Sequence, residues 1–296
     1  MVTFSPEQAS VPLASAVLEQ AAALAPALAA QLCASAIGGA DCAALHGIWP
    51  RLRLLQLAAD PDRHGAFYPL ALGACAAAAP RVLISGCADF GMLATTIAAY
   101  RAHAAPLAAT VIDLCPTPLL LCAGYGAIAG QPVRTAQADA RLFTDAQPFD
   151  VICVHSLLTY YPLAGRRQLV RNWARLLRRG GEVVTVTRLQ SPAESSVESA
   201  AERSERALNF GELAIARSHL SGRAGAELRA RAQRFAAGPR GHPVGNEVEV
   251  RGLFEDAGFV LTRFDVRQLG DARGAHDRIN GTARGGVYAE IVAVRQ

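Results

Sequence analysis

The sequence predicts an α/β protein with a doubly wound, mostly parallel, seven-stranded sheet, a helical region before it and a helical insertion before its last two strands. From Arg81 onward strand-like apolar runs alternate with helical patterns, which is typical of a parallel sheet covered on both faces. The first run breaks into a turn of small residues at 85–91, and a second strand-like segment ends on Asp113. A carboxylate at that position is suited to binding both hydroxyls of a ribose.

Hydrophobic periodicity and turn residues predict the individual elements. Strands are expected at 82–85, 110–113, 132–136, 149–154, 182–188, 260–266 and 287–294. Helices are expected at 90–101, through 119–121, across 169–177 and at 248–257. Gly180 and Gly181 are expected to end the third of these helices, because glycine commonly follows a helix C-terminus.

Residues 1–79 are predicted to form an accessory helical region ahead of a sheet domain at 80–296. Leu24, Leu28 and Leu32 recur every fourth residue and are predicted to form one face of an amphipathic helix. Charged helical sequence at about 190–246 interrupts the sheet pattern and is placed to act as a lid. The alternative for this insertion is a solvated helical decoration.

Composition excludes several kinds of chemistry and partner. All 29 basic residues are arginine, so a Schiff-base lysine, a pyridoxal-phosphate anchor or a phosphate-loop lysine is absent. The net charge of +4 comes from dispersed arginines, so nucleic acid is not an expected partner. The N-terminus lacks the basic start of a signal peptide, and the uncharged stretch 21–40 is a poor membrane span, so no membrane partner is expected.

The cysteines show neither a C-x-x-C pair nor the crowded, even pattern of a disulfide framework. We interpret them as reduced thiols of a cytoplasmic protein, since several lie in apolar runs where cysteine packs as a small hydrophobic residue. No metal site is expected from this pattern. The seven are Cys33, Cys42, Cys75, Cys87, Cys115, Cys122 and Cys153.

Five landmarks occur in order after Arg81 at βαβ spacing. They are the loop V-L-I-S-G-C-A-D-F-G, the acid in V-I-D-L, the A-D-A at 138–140, the strand F-D-V-I-C-V-H-S and the block L-L-R-R-G-G-E-V-V-T-V. In this order they resemble the class I S-adenosylmethionine-dependent methyltransferases, whose sheet is Rossmann-like. The resemblance implies S-adenosylmethionine as the cofactor and methyl transfer as the reaction.

The resemblance also implies which residues bind the cofactor. Gly86 and its neighbours should let the backbone approach the methionine portion, Asp113 should accept the ribose hydroxyls, and Leu114 should lie against adenine. Asp139 matches the position that often bonds the adenine amino group. The complete expected set is Ser85, Gly86, Cys87, Asp89, Asp113, Leu114, Asp139, Ala140, His155 and Tyr68.

The first loop departs from the family's usual pattern of an acid followed by three alternating glycines. Ile84 stands in the place of the acid, and Ala88 and Phe90 replace the later glycines, so only Gly86 is kept. We expect Asp89, or a group from the N-terminal helices, to supply the missing carboxylate contact to the methionine amine.

The acceptor is expected at the carboxyl edge of the 149–154 strand, which faces the reacting centre in such folds. His155 is the expected general base, because an imidazole with a pKa of about 6.5 can take a proton at neutral pH. Bonding to the backbone or capping the next helix is the alternative role for His155. Tyr160 is the second catalytic candidate, and Thr159 lies beside it.

Three further residues are expected to bind substrate: Ser156, Tyr161 and Arg188, whose planar guanidinium suits a carboxylate. Phe67 and Tyr68 are expected to cover the sulfonium through an aromatic face, with ordinary core packing as their alternative.

The leading functional hypothesis is methyl transfer to an oxygen or nitrogen of a small molecule, with a homodimer as the candidate assembly. A second hypothesis is another use of S-adenosylmethionine, such as intramolecular cyclisation or aminocarboxypropyl transfer. A nicotinamide dehydrogenase is a third, although the loop has no G-x-G-x-x-G. The fourth is a non-catalytic binding protein on the same fold.

Overall fold

The described residues of the computed structural model form one seven-stranded sheet covered by helices. The structure describes residues 6–33, 42–58, 60–75, 80–190, 198–238, 241–242, 244–269 and 286–296. The strands are β1 Arg81–Ser85, β2 Ala108–Asp113, β3 Val133–Gln137, β4 Phe149–His155, β5 Leu177–Leu189, β6 Phe259–Leu269 and β7 Gly286–Arg295. Their spatial order is β3-β2-β1-β4-β5-β7-β6.

The sheet is parallel except at its C-terminal end, where β7 runs antiparallel to both β5 and β6. The chain moves outward from β1 through β2 to β3 and then returns to place β4 on the other side of β1. That reversal opens a crevice at the carboxyl ends of β1 and β4, where ligands bind in open α/β sheets. The predicted fold class is confirmed.

Helices cover both faces of the sheet. They are α1 Pro6–Leu32, α2 Cys42–His46, α3 Trp49–Leu54, α4 Phe67–Ala74, α5 Gly91–Ala102, α6 Pro116–Ile128, α7 Leu163–Leu176, α8 Ala200–Arg217, α9 Gly222–Ala237 and α10 Glu247–Glu255, with 3-10 helices at Pro61–His64 and Leu157–Tyr160. Side chains of α1, α4, α5 and α6 share one apolar cluster with the sheet. Those of α7 and α10 share the cluster on the opposite face.

Two local expectations were wrong. The helix before β5 ends at Leu176, and Gly180 and Gly181 lie inside β5, next to a register shift against β4. A Cβ at position 181 would lie 3.0 Å from the Asp150 carbonyl oxygen, so glycine allows this irregular pairing.

The leucine stripe of α1 is not its buried face, because Leu24 is 57% exposed. The buried positions are alanines, including Ala21, Ala25 and Ala29. Their small side chains let the helix lie close to its neighbours, as where a Cβ on Gly47 would lie 3.3 Å from the Ala29 Cβ. The positions of the large apolar side chains therefore did not identify the packed face of this helix.

The insertion folds as the helical hairpin α8–α9, as its charged helical pattern predicts. Its apolar side does not lie on the sheet. Phe210, Ala214 and Ala232 of the hairpin share one buried cluster with Ile48 and Leu52 near α3. The insertion and the N-terminal helices therefore pack against each other. No helix of the described residues is both long and apolar enough to cross a bilayer.

Replacing Phe210 with alanine tests this docking. The change removes a buried ring from the cluster, so the free energy of opening the hairpin is expected to fall by about 3 to 5 kcal/mol. Hydrogen exchange of peptides from 200–237 measures it. The control is Leu208→Ala on the same helix, since Leu208 is 56% exposed. Equal protection in the two variants would show that the hairpin is not held by this cluster.

Candidate active site

The turn after β1 is shaped by Gly86. Its φ of +79° lies in the left-handed region that favours glycine, and its N–H donates to the Ile112 carbonyl oxygen of β2 at 2.8 Å. A Cβ here would also come within 2.9 Å of Leu157 Cδ1 in the 3-10 helix after β4. The turn of β1 and the segment after β4 are therefore direct neighbours.

Asp113 ends β2 beside this turn. Its Oδ2 accepts from the Cys87 N–H at 3.0 Å, and its Oδ1 accepts from the Cys115 N–H at 2.8 Å. Burial raises the pKa of Asp113 to about 6, although these backbone hydrogen bonds act in the opposite direction. The carboxylate is thus fixed in place at the carboxyl edge, as a ribose ligand requires.

Asp89 is buried and already paired with the N-terminal region. Arg53 of α3 places Nη1 at 3.0 Å from Asp89 Oδ2 and 3.2 Å from Oδ1. Oδ1 also accepts from the Gly91 N–H, the first N–H of α5, at 2.7 Å. The expected contact of Asp89 with a methionine amine stays a prediction, and it would compete with the Arg53 pair.

The two large residues that depart from the family's loop pattern have structural roles. Ile84 is fully buried in the core of β1. Phe90 is also buried and stacks on Tyr125 of α6, with ring centroids 4.7 Å apart. The Arg53 guanidinium lies 5.5 Å from the Phe90 ring centroid. Packing between the turn and its neighbouring helices accounts for Ile84 and Phe90.

Asp139 follows β3 at the same edge as Asp113, whose carbonyl oxygen accepts from the Ala138 N–H at 2.9 Å. The Asp139 carboxylate is held by Arg141, with Nη2 to Oδ2 at 2.5 Å, and this partner lowers the pKa of Asp139. The neighbouring Ala140 is buried, and its carbonyl oxygen accepts from Asn172 of α7. Asp139 and Ala140 thus lie next to the end of β2, and their contact with adenine stays a prediction.

His155 ends β4 next to Tyr68 of α4. The Tyr68 hydroxyl donates to the Val154 carbonyl oxygen at 2.7 Å and lies 3.1 Å from His155 Nδ1. A hydroxyl has one proton, and Tyr68 donates it to Val154, so His155 Nδ1–H donates to the Tyr68 oxygen. Tyr68 is completely buried, and its hydrogen bond to Nδ1 orients the His155 ring.

A second histidine in this region, His64, was not singled out by the sequence analysis. His64 Nδ1 lies 3.1 Å from Glu290 Oε1 of β7, and both side chains are buried. The His64 ring centroid is 5.4 Å from that of His155 and 5.3 Å from that of Tyr288. Burial lowers the pKa of His64 to about 4 and raises the pKa of Glu290. The pair joins residues more than 200 positions apart, so only the fold could reveal it.

The remaining predicted residues are distributed over several positions. Ser156 has φ +56°, and its buried Oγ has no hydrogen-bond partner among the described residues. Tyr160 is 53% exposed. Arg188 of β5 lies opposite Tyr288 in the register. Tyr161 belongs to the cluster on the α7 face, away from Tyr68, and Arg141 covers its ring at 5.1 Å.

The side chain of Ser85 also points away from the crevice. It is fully buried, and its Oγ accepts from Trp173 Nε1 of α7 at 3.1 Å. Leu114 offers its carbonyl oxygen to the Gln137 amide at 3.0 Å. For Ser85, only the main chain can line a ligand site, while Leu114 is half-buried beside Asp113.

A separate cluster lies on the far side of Asp113. The donor atoms of Cys33, Cys42, His46 and Cys115 all lie within 4.8 Å of one another. The spacing of these residues along the chain matches no motif, which is why no site was expected there.

The comparisons with known proteins agree with this arrangement. Residues 86–185 match the family model described as a methyltransferase domain, from the Gly86 turn into β5. This part of the chain, about a third of its length, is similar to a methyltransferase domain. The match supports the predicted family, enzyme class and methyl donor. A search of curated proteins finds no match.

Solved structures similar to this chain include three of low sequence identity. The N-methyltransferase NodS from Bradyrhizobium japonicum WM9, in complex with S-adenosyl-L-homocysteine, is 17% identical, with a TM-score of 0.48 over 81% of this chain and 90% of that one. Magnesium protoporphyrin IX methyltransferase from Synechocystis PCC 6803 is 12% identical, with a TM-score of 0.47 over 84% and 94%. The [4+2]-cyclase SpnF is 12% identical, with a TM-score of 0.49 over 77% and 80%.

Asp113→Asn tests the predicted ribose contact. Loss of charge-assisted hydrogen bonds should weaken S-adenosylhomocysteine binding about 10-fold to 100-fold in calorimetric titration at pH 8. Wild-type affinity should fall as the pH drops through about 6, because the ligand favours the ionised carboxylate whose pKa is raised to that value. The variant should lack this pH dependence between pH 5 and 8. Equal affinities and equal pH profiles would remove Asp113 from the cofactor site.

Proposed function

We propose that this chain transfers a methyl group from S-adenosylmethionine to an oxygen or nitrogen of a small molecule that binds at the end of β4. The observation that carries the proposal is the adjacency of two sites. The Gly86 turn, with Asp113 beside it, contacts the segment that follows β4, where His155 and Ser156 lie. A donor at the first site would place its reactive end near an acceptor at the second.

The residues at the turn fit a nucleoside ligand. Gly86 exposes backbone without a Cβ, Asp113 presents a fixed carboxylate, and the buried Ser156 Oγ has no hydrogen-bond partner within the described part of the chain. Asp113 would accept the ribose hydroxyls, and Asp139 would lie toward the adenine. When bound, S-adenosylmethionine supplies an electrophilic methyl group, so the chain's main tasks are alignment and exclusion of water.

His155 is the proposed general base. Its Nδ1–H is held by the Tyr68 oxygen, which leaves the lone pair on Nε2 to take the proton of an attacking hydroxyl or amine. The neighbouring His64 is oriented by Glu290 in the same way that a carboxylate orients a catalytic imidazole. Because burial keeps His64 neutral at physiological pH, it adds no positive charge beside the sulfonium.

The position of the helices around this edge of the sheet favours a small molecule as the acceptor. Arg53 and His64 of the N-terminal region reach the β1 turn and β7, and the α8–α9 hairpin packs on that same region. We propose that these helices enclose the acceptor and exclude water from it. Cytoplasmic location and a homodimer remain predictions from the sequence.

The identity of the co-product tests the proposal. The purified chain should be incubated with S-adenosylmethionine labelled in its methyl group and with pools of small metabolites, and then analysed by mass spectrometry. Methyl transfer yields S-adenosylhomocysteine and a labelled product. Methylthioadenosine as the co-product would show another use of S-adenosylmethionine, either aminocarboxypropyl transfer or intramolecular cyclisation, and the structure of the second product separates these two. Binding with no turnover across the pools would favour a non-catalytic binding protein.

His155→Gln tests the base assignment once an acceptor is found. Loss of general-base catalysis should lower kcat about 10²-fold to 10⁴-fold and remove the acidic limb of the pH–rate profile. The matched control is His219→Gln, because His219 is exposed between α8 and α9. A wild-type rate and pH profile in the His155 variant would show that another group, or no group, takes the proton.

A further inference from the structure

We propose that Cys33, Cys42, His46 and Cys115 form a structural zinc site that joins the N-terminal helices to the cofactor-binding edge. Cys33 follows α1, Cys42 and His46 lie one helical turn apart on α2, and Cys115 is the N-cap residue of α6. The four side chains thus come from three separate elements and meet at one point.

The distances fit one tetrahedral ion. With Zn–S of about 2.3 Å and Zn–N of about 2.0 Å, a tetrahedral site separates two sulfurs by about 3.8 Å and a sulfur from a nitrogen by about 3.6 Å. Cys33 Sγ lies 3.4 Å from His46 Nδ1, and all four donor atoms lie within 4.8 Å of one another. Cys33 Sγ and Cys115 Sγ, at 3.0 Å, need to separate by less than 1 Å, about one small rotamer adjustment.

The donor set favours zinc over hard cations. Three thiolates and one imidazole form a Cys₃His set, which is typical of structural zinc, whereas calcium and magnesium prefer oxygen ligands. Cys42, His46 and Cys115 are buried and Cys33 is half-buried, so three of the four donors are shielded from solvent.

Two observations argue against the alternative that Cys33 and Cys115 are only a thiol pair able to form a disulfide. A disulfide between Cys33 and Cys115 would use two of the four groups and leave the Cys42 thiol and the His46 imidazole directed at the same point. The Thr117 hydroxyl also lies 3.2 Å from Cys33 Sγ, where it can orient a ligating thiolate as an outer-shell partner. All four donors and this hydroxyl are explained together by one bound ion.

One hydrogen bond connects the zinc site to the cofactor-binding edge of the sheet. The Cys115 N–H donates to Asp113 Oδ1 at 2.8 Å, so an ion bound by the Cys115 thiolate would fix the backbone that holds the Asp113 carboxylate. The same ion would anchor α1 and α2, which contact α3, the helix that carries Arg53. Zinc would therefore support the geometry of the methyl-donor site without touching the reaction.

The proposal is tested by measuring the metal content of the full chain. The chain is purified without chelators and without metal-affinity chromatography. We expect one zinc ion per chain by mass spectrometry. After removal of zinc, Co²⁺ should give the sulfur-to-metal charge-transfer band and the strong visible d–d bands of a tetrahedral thiolate site. Cys42→Ser and His46→Ala should lose the metal, and Cys75→Ser should keep it, because Cys75 is a half-buried thiol outside the cluster.

Any of three results would overturn the proposal. The wild-type chain could contain no zinc and give no cobalt spectrum, or its intact mass could show a Cys33–Cys115 disulfide without metal. Cys42→Ser could also retain one full equivalent of zinc. The cobalt titration uses the wild-type chain, so it remains decisive if a variant does not fold. Stoichiometric zinc with no S-adenosylhomocysteine binding would leave the metal site standing and count only against the proposed function.

Discussion

The Asp113 carboxylate, fixed by the N–H groups of Cys87 and Cys115, is the interaction on which the rest of the site depends. It links the turn after β1 to the start of α6, and it sets the position of a negative charge at the carboxyl edge of the sheet. The parallel register of β1 with β2 and β4 places the two neighbouring strand ends within reach of this point. In the proposed function, this carboxylate is the group that would set where the methyl donor binds.

The N-terminal helices contact the sheet domain close to the proposed site. Two buried polar pairs, Arg53 with Asp89 and His64 with Glu290, connect the first 79 residues to the sheet. Removing one partner of the buried Arg53–Asp89 ion pair typically costs about 3 to 5 kcal/mol, because the remaining charge stays buried. The α8–α9 hairpin packs on the same N-terminal region near α3, so this region contacts both the sheet and the insertion.

The sequence predicted what depends on local pattern. The strands, the α8–α9 insertion, Gly86 and Asp113 each follow from periodicity or from a turn at a strand end. It did not predict His64 with Glu290, or the cluster of Cys33, Cys42, His46 and Cys115, because both are made by tertiary packing and leave no spacing signal. The error at Gly180 and Gly181 has the same origin, since pairing with β4 extends β5 back to Leu177 and overrides the glycine signal for a helix end.

A crystal structure of the chain with S-adenosylhomocysteine bound tests the central claim most directly. The account predicts both ribose hydroxyls on the Asp113 carboxylate, the backbone of Gly86 against the homocysteine portion, and the sulfur directed toward the end of β4 near His155. A ligand bound elsewhere, or one whose ribose makes no contact with Asp113, would contradict it.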